Sequence, residues 1–264
     1  MKIGVTQIIL KNHSTEDIAE LCRAAGYEIV ELVFSDGGDP SFDIGVDELK
    51  ALGERFAQAG VAVTSVLAHG KERGNFLSPD PAEHEVAHNN LVRAIEISSA
   101  LGAGAVLLHP GQLGVDASYS GVWQSFREQM RRIAPVAQRR QVAVGIENVW
   151  NKFLLSPKEM RDFLDEVDSD WVGCYLDTAN MMAYGYPEQW IDELGPRIKR
   201  VHFKDFKRKE HKFVPLCDGD TNWPRVMEKL RAIGYDAGVI HEVSGDRELQ
   251  IEMARRMRSI VSGS

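Results

Sequence analysis

Polar residues that could carry chemistry recur along this chain at the ends of short, β-branched runs. His69 comes just after one such run and His109 closes the next. Glu147 and Asn148 end the third, Asp177 and Asn180 lie at the end of the fourth, and His202, Lys204 and Asp205 follow one another at the fifth. Glu242 belongs to the last, the stretch from Gly238 to Val243. A lone carboxylate in such apolar company is costly to ionise, and a divalent cation would remove that cost. Glu147, Asp177, His202 and Glu242 together offer three carboxylates and one imidazole. This oxygen-rich set favours one divalent ion, Mn²⁺ first and Mg²⁺ or Co²⁺ next, over the thiolate-rich or His-rich sites of structural zinc. Taken singly, each of the four reads equally well as an ion-paired residue at a strand end. As a set they point to metal ligation.

Such residues meet only if the runs that carry them lie side by side. Eight strands are expected: Lys2 to Thr6, Ile29 to Phe34, Val61 to Leu67, Ala105 to His109, Val142 to Asn148, Val172 to Asp177, Ile198 to Phe203 and Ala237 to Val243. Helical spacing fills the intervals at Ser14 to Ala25, Val46 to Ala59, Pro81 to Leu101, Tyr119 to Arg139, Ser156 to Glu166, Pro187 to Leu194, Thr221 to Ile233 and Glu248 to Ile260. Ser14 with Asp17, and Ser156 with Glu159, form capping-box patterns that satisfy the free amides of a first helical turn. Gly26, Gly60, Gly102 and Gly234 stand where a helix should stop, because glycine tolerates the left-handed conformation of a helix end. Strict βα alternation implies parallel strands joined by crossover helices, and its closed form is an α/β (β/α)8 TIM barrel. An open doubly wound sheet is the alternative, yet no GxGxxG or GxxxxGK[ST] follows any strand, so dinucleotide or P-loop chemistry has no foothold. In a barrel the catalytic groups come from the C-terminal strand ends, which is where the polar residues fall.

Composition agrees with a sizeable core. Of 264 residues, 44% are hydrophobic and 27% charged, and no linker or low-complexity stretch divides them, so residues 1–264 are expected to form a single domain. A net charge of −8 opposes non-specific binding to nucleic acid or an anionic membrane. The longest apolar runs, such as Ala103 to Leu108, are far short of the roughly 20 residues of a membrane span. The first residues lack a secretory apolar region, which leads to the expectation of a cytoplasmic protein. Cys22, Cys174 and Cys217 are odd in number and widely spaced, which suggests buried small hydrophobes instead of disulfides or a metal site.

The stretches Ile146 to Asn148, Tyr175 to Asn180, Arg200 to Asp205, Asp218 to Trp223 and Ile240 to Glu242, in this order, resemble the xylose-isomerase-like TIM barrels. Within them the chain looks most like the sugar phosphate isomerase/epimerase group, which includes ketose 3-epimerases and L-xylulose-5-phosphate 3-epimerase. The resemblance spans nearly the whole chain. It implies that Glu147, Asp177, His202 and Glu242 bind one divalent metal and that Glu147 and Glu242 are also the catalytic acid and base. It further implies a small-molecule sugar or sugar phosphate as substrate, and leaves a homo-oligomer open. Asn180, three residues after Asp177, resembles the L-xylulose-5-phosphate enzymes, whereas Arg208 sits where free-ketose enzymes place a substrate-binding arginine. The phosphorylation state therefore stays open. The endonuclease IV branch needs more histidines and suits a net charge of −8 poorly.

Epimerisation at carbon 3 of a 2-ketose needs a proton removed beside a carbonyl, and a metal holding the oxygens at carbons 2 and 3 would stabilise the enediolate that forms. Glu147 and Glu242 on opposite faces could then exchange the roles of base and acid. The same pair acting across carbons 1 and 2 would give aldose–ketose isomerisation. An enolate-forming lyase, of the inosose dehydratase or C-glycoside-cleaving type, fits the same residues, and a non-catalytic sugar-binding barrel is the reading outside enzymes. His69, His109, Asn180, Lys204 and Arg208 are the candidate substrate-binding residues, although Lys204 and Arg208 lie in a charge run of the kind that is usually solvated. Trp150, Trp223 and Phe76 could floor a sugar pocket or pack in the core. Residues 71–77 could form a lid. His241 should face away from Glu242, its neighbour on a strand.

Overall fold

The computed structural model describes residues 1–263. Eight parallel strands close into a barrel: β1 (Ile3–Thr6), β2 (Ile29–Ser35), β3 (Ala62–His69), β4 (Ala105–Leu108), β5 (Ala143–Glu147), β6 (Val172–Asp177), β7 (Ile198–Phe203) and, after an inserted hairpin, β10 (Val239–His241). The hairpin strands β8 (Asp205–Lys207) and β9 (Lys212–Val214) pair antiparallel with each other. Closure comes from β1, which pairs parallel with β2 on one side and with β10 on the other. Outside lie α1 (Thr15–Ala25), α2 (Val46–Gln58), α3 (Pro81–Leu101), α4 (Tyr119–Arg140), α5 (Pro157–Val167), α6 (Pro187–Leu194), α7 (Trp223–Ala232) and α8 (Arg247–Ser262). The expected (β/α)8 TIM barrel is therefore observed.

The punctuation residues act as their chemistry requires. Ser14 and Ser156 each accept from the amide three residues on, and the Asp17 and Glu159 carboxylates return the bond to the serine amides. Gly26, Gly60, Gly102 and Gly234 all have positive φ at helix ends. Between barrel and helices, Ile18, Phe56, Ile95, Phe126, Phe163, Trp190, Val226 and Met257 are all at most 2% exposed, so each helix contributes an apolar stripe to one continuous core.

Register decides what meets inside. Asp177 stands directly beside His202, His202 beside Ile240, and Glu147 beside Tyr175. Side chains alternate along a strand, so Tyr175 and Asp177 share the interior face. The Tyr175 hydroxyl crosses the barrel to donate to Glu31 at 2.7 Å. His241 turns outward as expected: its Nε2 lies 2.7 Å from the Tyr27 hydroxyl, and burial drives its pKa down to about 3.

The hairpin is the main departure from the expected pattern, which placed no strand between Phe203 and Ala237. Asp205 organises it. Its buried carboxylate accepts from the amides of Phe206, Cys217, Gly219 and Thr221, from the Thr221 hydroxyl and from the Trp223 indole. A Cβ on Gly219 would fall 2.1 Å from Asp205 Oδ1, so only glycine lets the loop wrap this closely. Two expectations change as a result. Trp223 is not a pocket floor but packs on Phe203, with 4.8 Å between ring centroids. Cys217 is exposed instead of buried, because its amide is drawn to Asp205 in a turn with φ of 71°; Cys22 and Cys174 are buried. Asp205→Ala strips the partner from these donors and should cost at least about 3 kcal/mol, read as a lower urea midpoint. An unchanged midpoint would show that the hairpin holds without it.

Candidate active site and metal centre

Glu147 ends β5, Asp177 ends β6, His202 lies in β7 and Glu242 follows β10, all at the C-terminal mouth of the barrel. One ligand atom from each lies within 4.8 Å of the others. The strands provide this convergence because neighbouring parallel strands in register bring their ends to one level. Glu147, Asp177 and His202 are buried, and the Glu242 side chain is 16% exposed.

Two atoms in this cluster test whether a cation fits. Asp177 Oδ2 and His202 Nδ1 are buried and have no hydrogen-bond partner among the described residues. An orphaned buried polar atom costs about 1–3 kcal/mol, so two in one cluster call for a shared partner. The other atoms of both side chains are committed elsewhere. Asp177 Oδ1 accepts from the amides of Ala179 and Asn180, and His202 Nε2 lies 3.1 Å from Glu31 Oε1. His202 Nδ1 faces Glu147 at 3.8 Å and Glu242 at 3.9 Å. The free atoms are thus an oxygen and a nitrogen turned toward two further carboxylates, a donor set suited to a divalent cation.

Glu31 was not anticipated from sequence. Fully buried on β2, it accepts from Thr6, Ser65 and Tyr175 hydroxyls, each at 2.7 Å, besides facing His202. Burial opposes its ionisation, yet the charge and hydrogen bond of His202, with the bonds from Ser65 and Tyr175, hold it down at about 2. A carboxylate of this kind fixes the imidazole's tautomer and ring orientation and leaves Nδ1 for a metal. Its only sequence signal was a single ionisable residue inside the apolar run from Ile29 to Phe34.

The field at the cluster follows from burial and from four carboxylates near each other. Burial raises Glu147, the His202 contact lowers it and Glu242 raises it again, with a net upward shift. Asp177 is pushed up to about 7 by burial; Lys204 pulls it down, while Glu242 and Glu147 push it up further. For His202, burial works against protonation, but the facing Glu31 overrides it and holds the imidazole well above its usual value. Lys204 supplies the fixed positive charge: its ammonium donates to Glu242 at 3.0 Å and lies 3.9 Å from Asp177 Oδ2. It also sits 4.4 Å above the Phe213 ring, so the hairpin covers it.

Above the cluster opens a cavity of about 930 Å³ whose walls include Glu147, Glu242, His69, His109, Asn180 and Lys204. All six stand where a substrate-facing residue or an acid–base group was expected, and Asn180 is braced by donating to Asn148 O. Arg208 does not join them. Its guanidinium donates to the carbonyls of Met182 and Gly185 and lies over the Tyr186 ring, so the β6–α6 loop absorbs its donors. Trp150 and Phe76 do line the cavity. Within residues 71–77, Phe76 and Leu77 are buried and Gly74 backs onto α3, whereas Lys71, Glu72 and Arg73 are exposed.

The family model of the xylose isomerase-like TIM barrel matches residues 19–260. The chain belongs to this family. It is similar to a provisionally assigned L-ribulose-5-phosphate 3-epimerase of Haemophilus influenzae, 22% identical over 97% of this chain and 94% of that protein. D-psicose 3-epimerase of Enterocloster bolteae is 23% identical over 74% of this chain and 66% of its own. Among solved structures, a D-tagatose 3-epimerase-like protein superposes with a TM-score of 0.84 at 21% identity, covering 99% of this chain and 97% of that one.

Two outcomes follow from the electrostatics. Glu31→Gln should weaken divalent-metal binding about 10–100-fold in calorimetric titration while the circular dichroism spectrum is kept; unchanged affinity would remove Glu31 from the metal's support. Asp177 has a folded pKa raised from 3.8 to about 7, so its carboxyl contributes stability at low pH that is lost as pH rises through 7. In EDTA, Asp177→Asn should therefore be more stable than the parent by about 2 kcal/mol at pH 8, with the gain growing between pH 4 and 7. A loss of stability at pH 8 would contradict this origin of the shift.

Proposed function

We propose that this enzyme epimerises carbon 3 of a 2-ketose, with Glu147 and Glu242 moving the proton. The observation that carries the reading is the placement of these two carboxylates. Both lie within 4 Å of His202 Nδ1 and both line the same cavity. A substrate carbon lodged between them would present one face to each. The glutamate on one face removes the proton, and the one on the other face returns a proton, so the configuration inverts and each acid is base for one of the two epimers. One of the pair must carry a proton at the outset.

The remaining residues orient and neutralise. Glu147, Asp177, His202 and Glu242 would hold one divalent ion, and the oxygen-rich donor set favours Mn²⁺. Such an ion supplies Lewis acidity beside the carbonyl, where negative charge develops when carbon 3 loses its proton. Glu31 keeps the His202 ring in place. Lys204 holds the Glu242 carboxylate by a hydrogen bond, fixing the direction from which it reaches the substrate. His69, His109 and Asn180 stand on the wall where sugar hydroxyls would bind. The likeness to named ketose 3-epimerases supports carbon 3 as the reacting centre.

Proton NMR in D₂O tests this. The protein is loaded with Mn²⁺, incubated with ketoses and ketose phosphates, and freed of metal before spectra are recorded. The expected result is metal-dependent loss of the carbon 3 proton signal, slowed at least about 100-fold in Glu147→Gln and in Glu242→Gln. Exchange that persists in either variant would overturn the assignment of the pair. Exchange at carbon 1 would make the enzyme an aldose–ketose isomerase, and a product lacking water would make it a lyase.

A further inference from the structure

Of the four residues in the cluster, Glu242 is the one that no strand carries. Glu147, Asp177 and His202 belong to β5, β6 and β7, where ladder pairing on either side sets their level. β10 stops at His241, and Val243 to Asp246 lead straight into α8. The Glu242 amide still donates to Phe203 O at 3.1 Å, but beyond it both polar backbone groups of Val243 turn to side chains. Lys204 holds the Glu242 carboxylate, so what holds the backbone beneath it is a separate matter.

Those side chains form a closed, buried ring on the outer face of the barrel. The Tyr27 hydroxyl donates its one proton to the Gln250 carbonyl at 2.6 Å, so it accepts from His241 Nε2–H at 2.7 Å. His241 Nδ1 is then a lone pair, and it accepts from the Val243 amide at 3.2 Å. The Gln250 side-chain amide donates to the Val243 carbonyl at 2.9 Å and completes the ring. Tyr27, His241, Val243 and Gln250 are all buried. Tyr27 is itself anchored, because Arg258 of α8 donates to the carbonyls of Ala25 and Gly26 just before it. Apolar side chains could fill this space, but they would leave the amide and carbonyl of Val243 buried and unpaired. Each partner in the ring is fixed by the next, which gives the segment a single arrangement.

We propose that Tyr27, His241 and Gln250 are positioning residues that hold Val243, and through it Glu242, in place for proton transfer on one face of the substrate. None of the three lines the cavity, so they act only through the backbone. The ring touches the Glu242 side of the site and leaves Glu147 alone. Its catalytic consequence rests on the two-glutamate reading of the reaction, while its hold on the backbone is measurable without turnover.

The first arm follows amide hydrogen exchange by NMR in the metal-free protein. Tyr27→Phe and Gln250→Met each delete one polar contact and keep the bulk of the side chain. In both, the Val243 amide should exchange about tenfold faster while amides of β5 and β6 keep the parental rate. His241→Leu should do the same, and His241→Asn, whose side-chain oxygen can replace Nδ1, should recover part of the protection. Acceleration spread equally over all strands, or a Val243 amide unchanged in Tyr27→Phe and Gln250→Met, would overturn the proposal. The second arm measures turnover of the two epimers with saturating Mn²⁺. In the same variants kcat should fall about tenfold with KM within about twofold, because a misplaced base slows the transfer and not the binding. The slowed transfer breaks the substrate bond in one direction and delivers a solvent-derived proton in the other. The isotope effect from deuterium at carbon 3 should therefore rise for one epimer and fall toward unity for its partner. Isotope effects that shift alike in both directions, or kcat unchanged in every variant, would refute positioning of Glu242. If the parent turns over no ketose, the reaction assigned above fails, and exchange at Val243 still decides whether the ring holds the segment.

Discussion

Negative charge brought out of water at the mouth of the barrel is the constraint on which the rest of this structure depends. Glu31, Glu147, Asp177 and Glu242 converge from four strands onto His202, and the few groups that answer them are specific. Three hydroxyls and the imidazole satisfy Glu31, two amides take one oxygen of Asp177, and Lys204 takes Glu242. What is left over is an oxygen of Asp177 and a nitrogen of His202. These two buried atoms are left without a partner at the place where four candidate ligand atoms meet.

Much of the fold could be read from local sequence because local physics sets it. Capping serines, helix-ending glycines and β-branched runs act within a few residues of themselves, so the strands and helices fell within a few residues of where periodicity put them. The four-residue cluster was legible for a related reason: parallel strands in a barrel bring their ends to one level, and each ligand is the polar residue at such an end. The misses share the opposite property. Glu31 and His202 are 171 residues apart and meet only across the closed barrel. The hairpin from Asp205 to Val214 looked like a solvated charge run because the residue that organises it draws its partners from as far on as Trp223. Arg208 carries the right charge at a suggestive spacing, but the carbonyls of another loop claimed it. Cys217 was assigned by residue type, whereas its exposure follows from a turn bound to Asp205.

Division of labour around the cavity follows from which element carries each group. Strand ends hold the acids, because a strand in a closed sheet is the stiffest support the chain offers and proton transfer tolerates little misplacement. Loops hold Trp150 and Asn180, which line the cavity from the segments that follow β5 and β6. Lys204 lies between these regimes. It follows β7 directly and is covered by the hairpin, which suits a cation that must stay with one carboxylate.

The separation of Glu31 from His202 also bears on how the chain is made. The ligand residues all lie between 147 and 242, while the carboxylate that orients the imidazole is synthesised long before any of them. A nascent chain emerging in order therefore holds Glu31 for most of its synthesis without its histidine, and the last ligand arrives only with the strand that pairs back onto β1. The complete coordination set cannot exist in an N-terminal fragment, so an ion captured by all four ligands is captured by a barrel that has already closed. Any ion held by the four residues together would accordingly be taken up late in maturation, through the mouth of the finished fold.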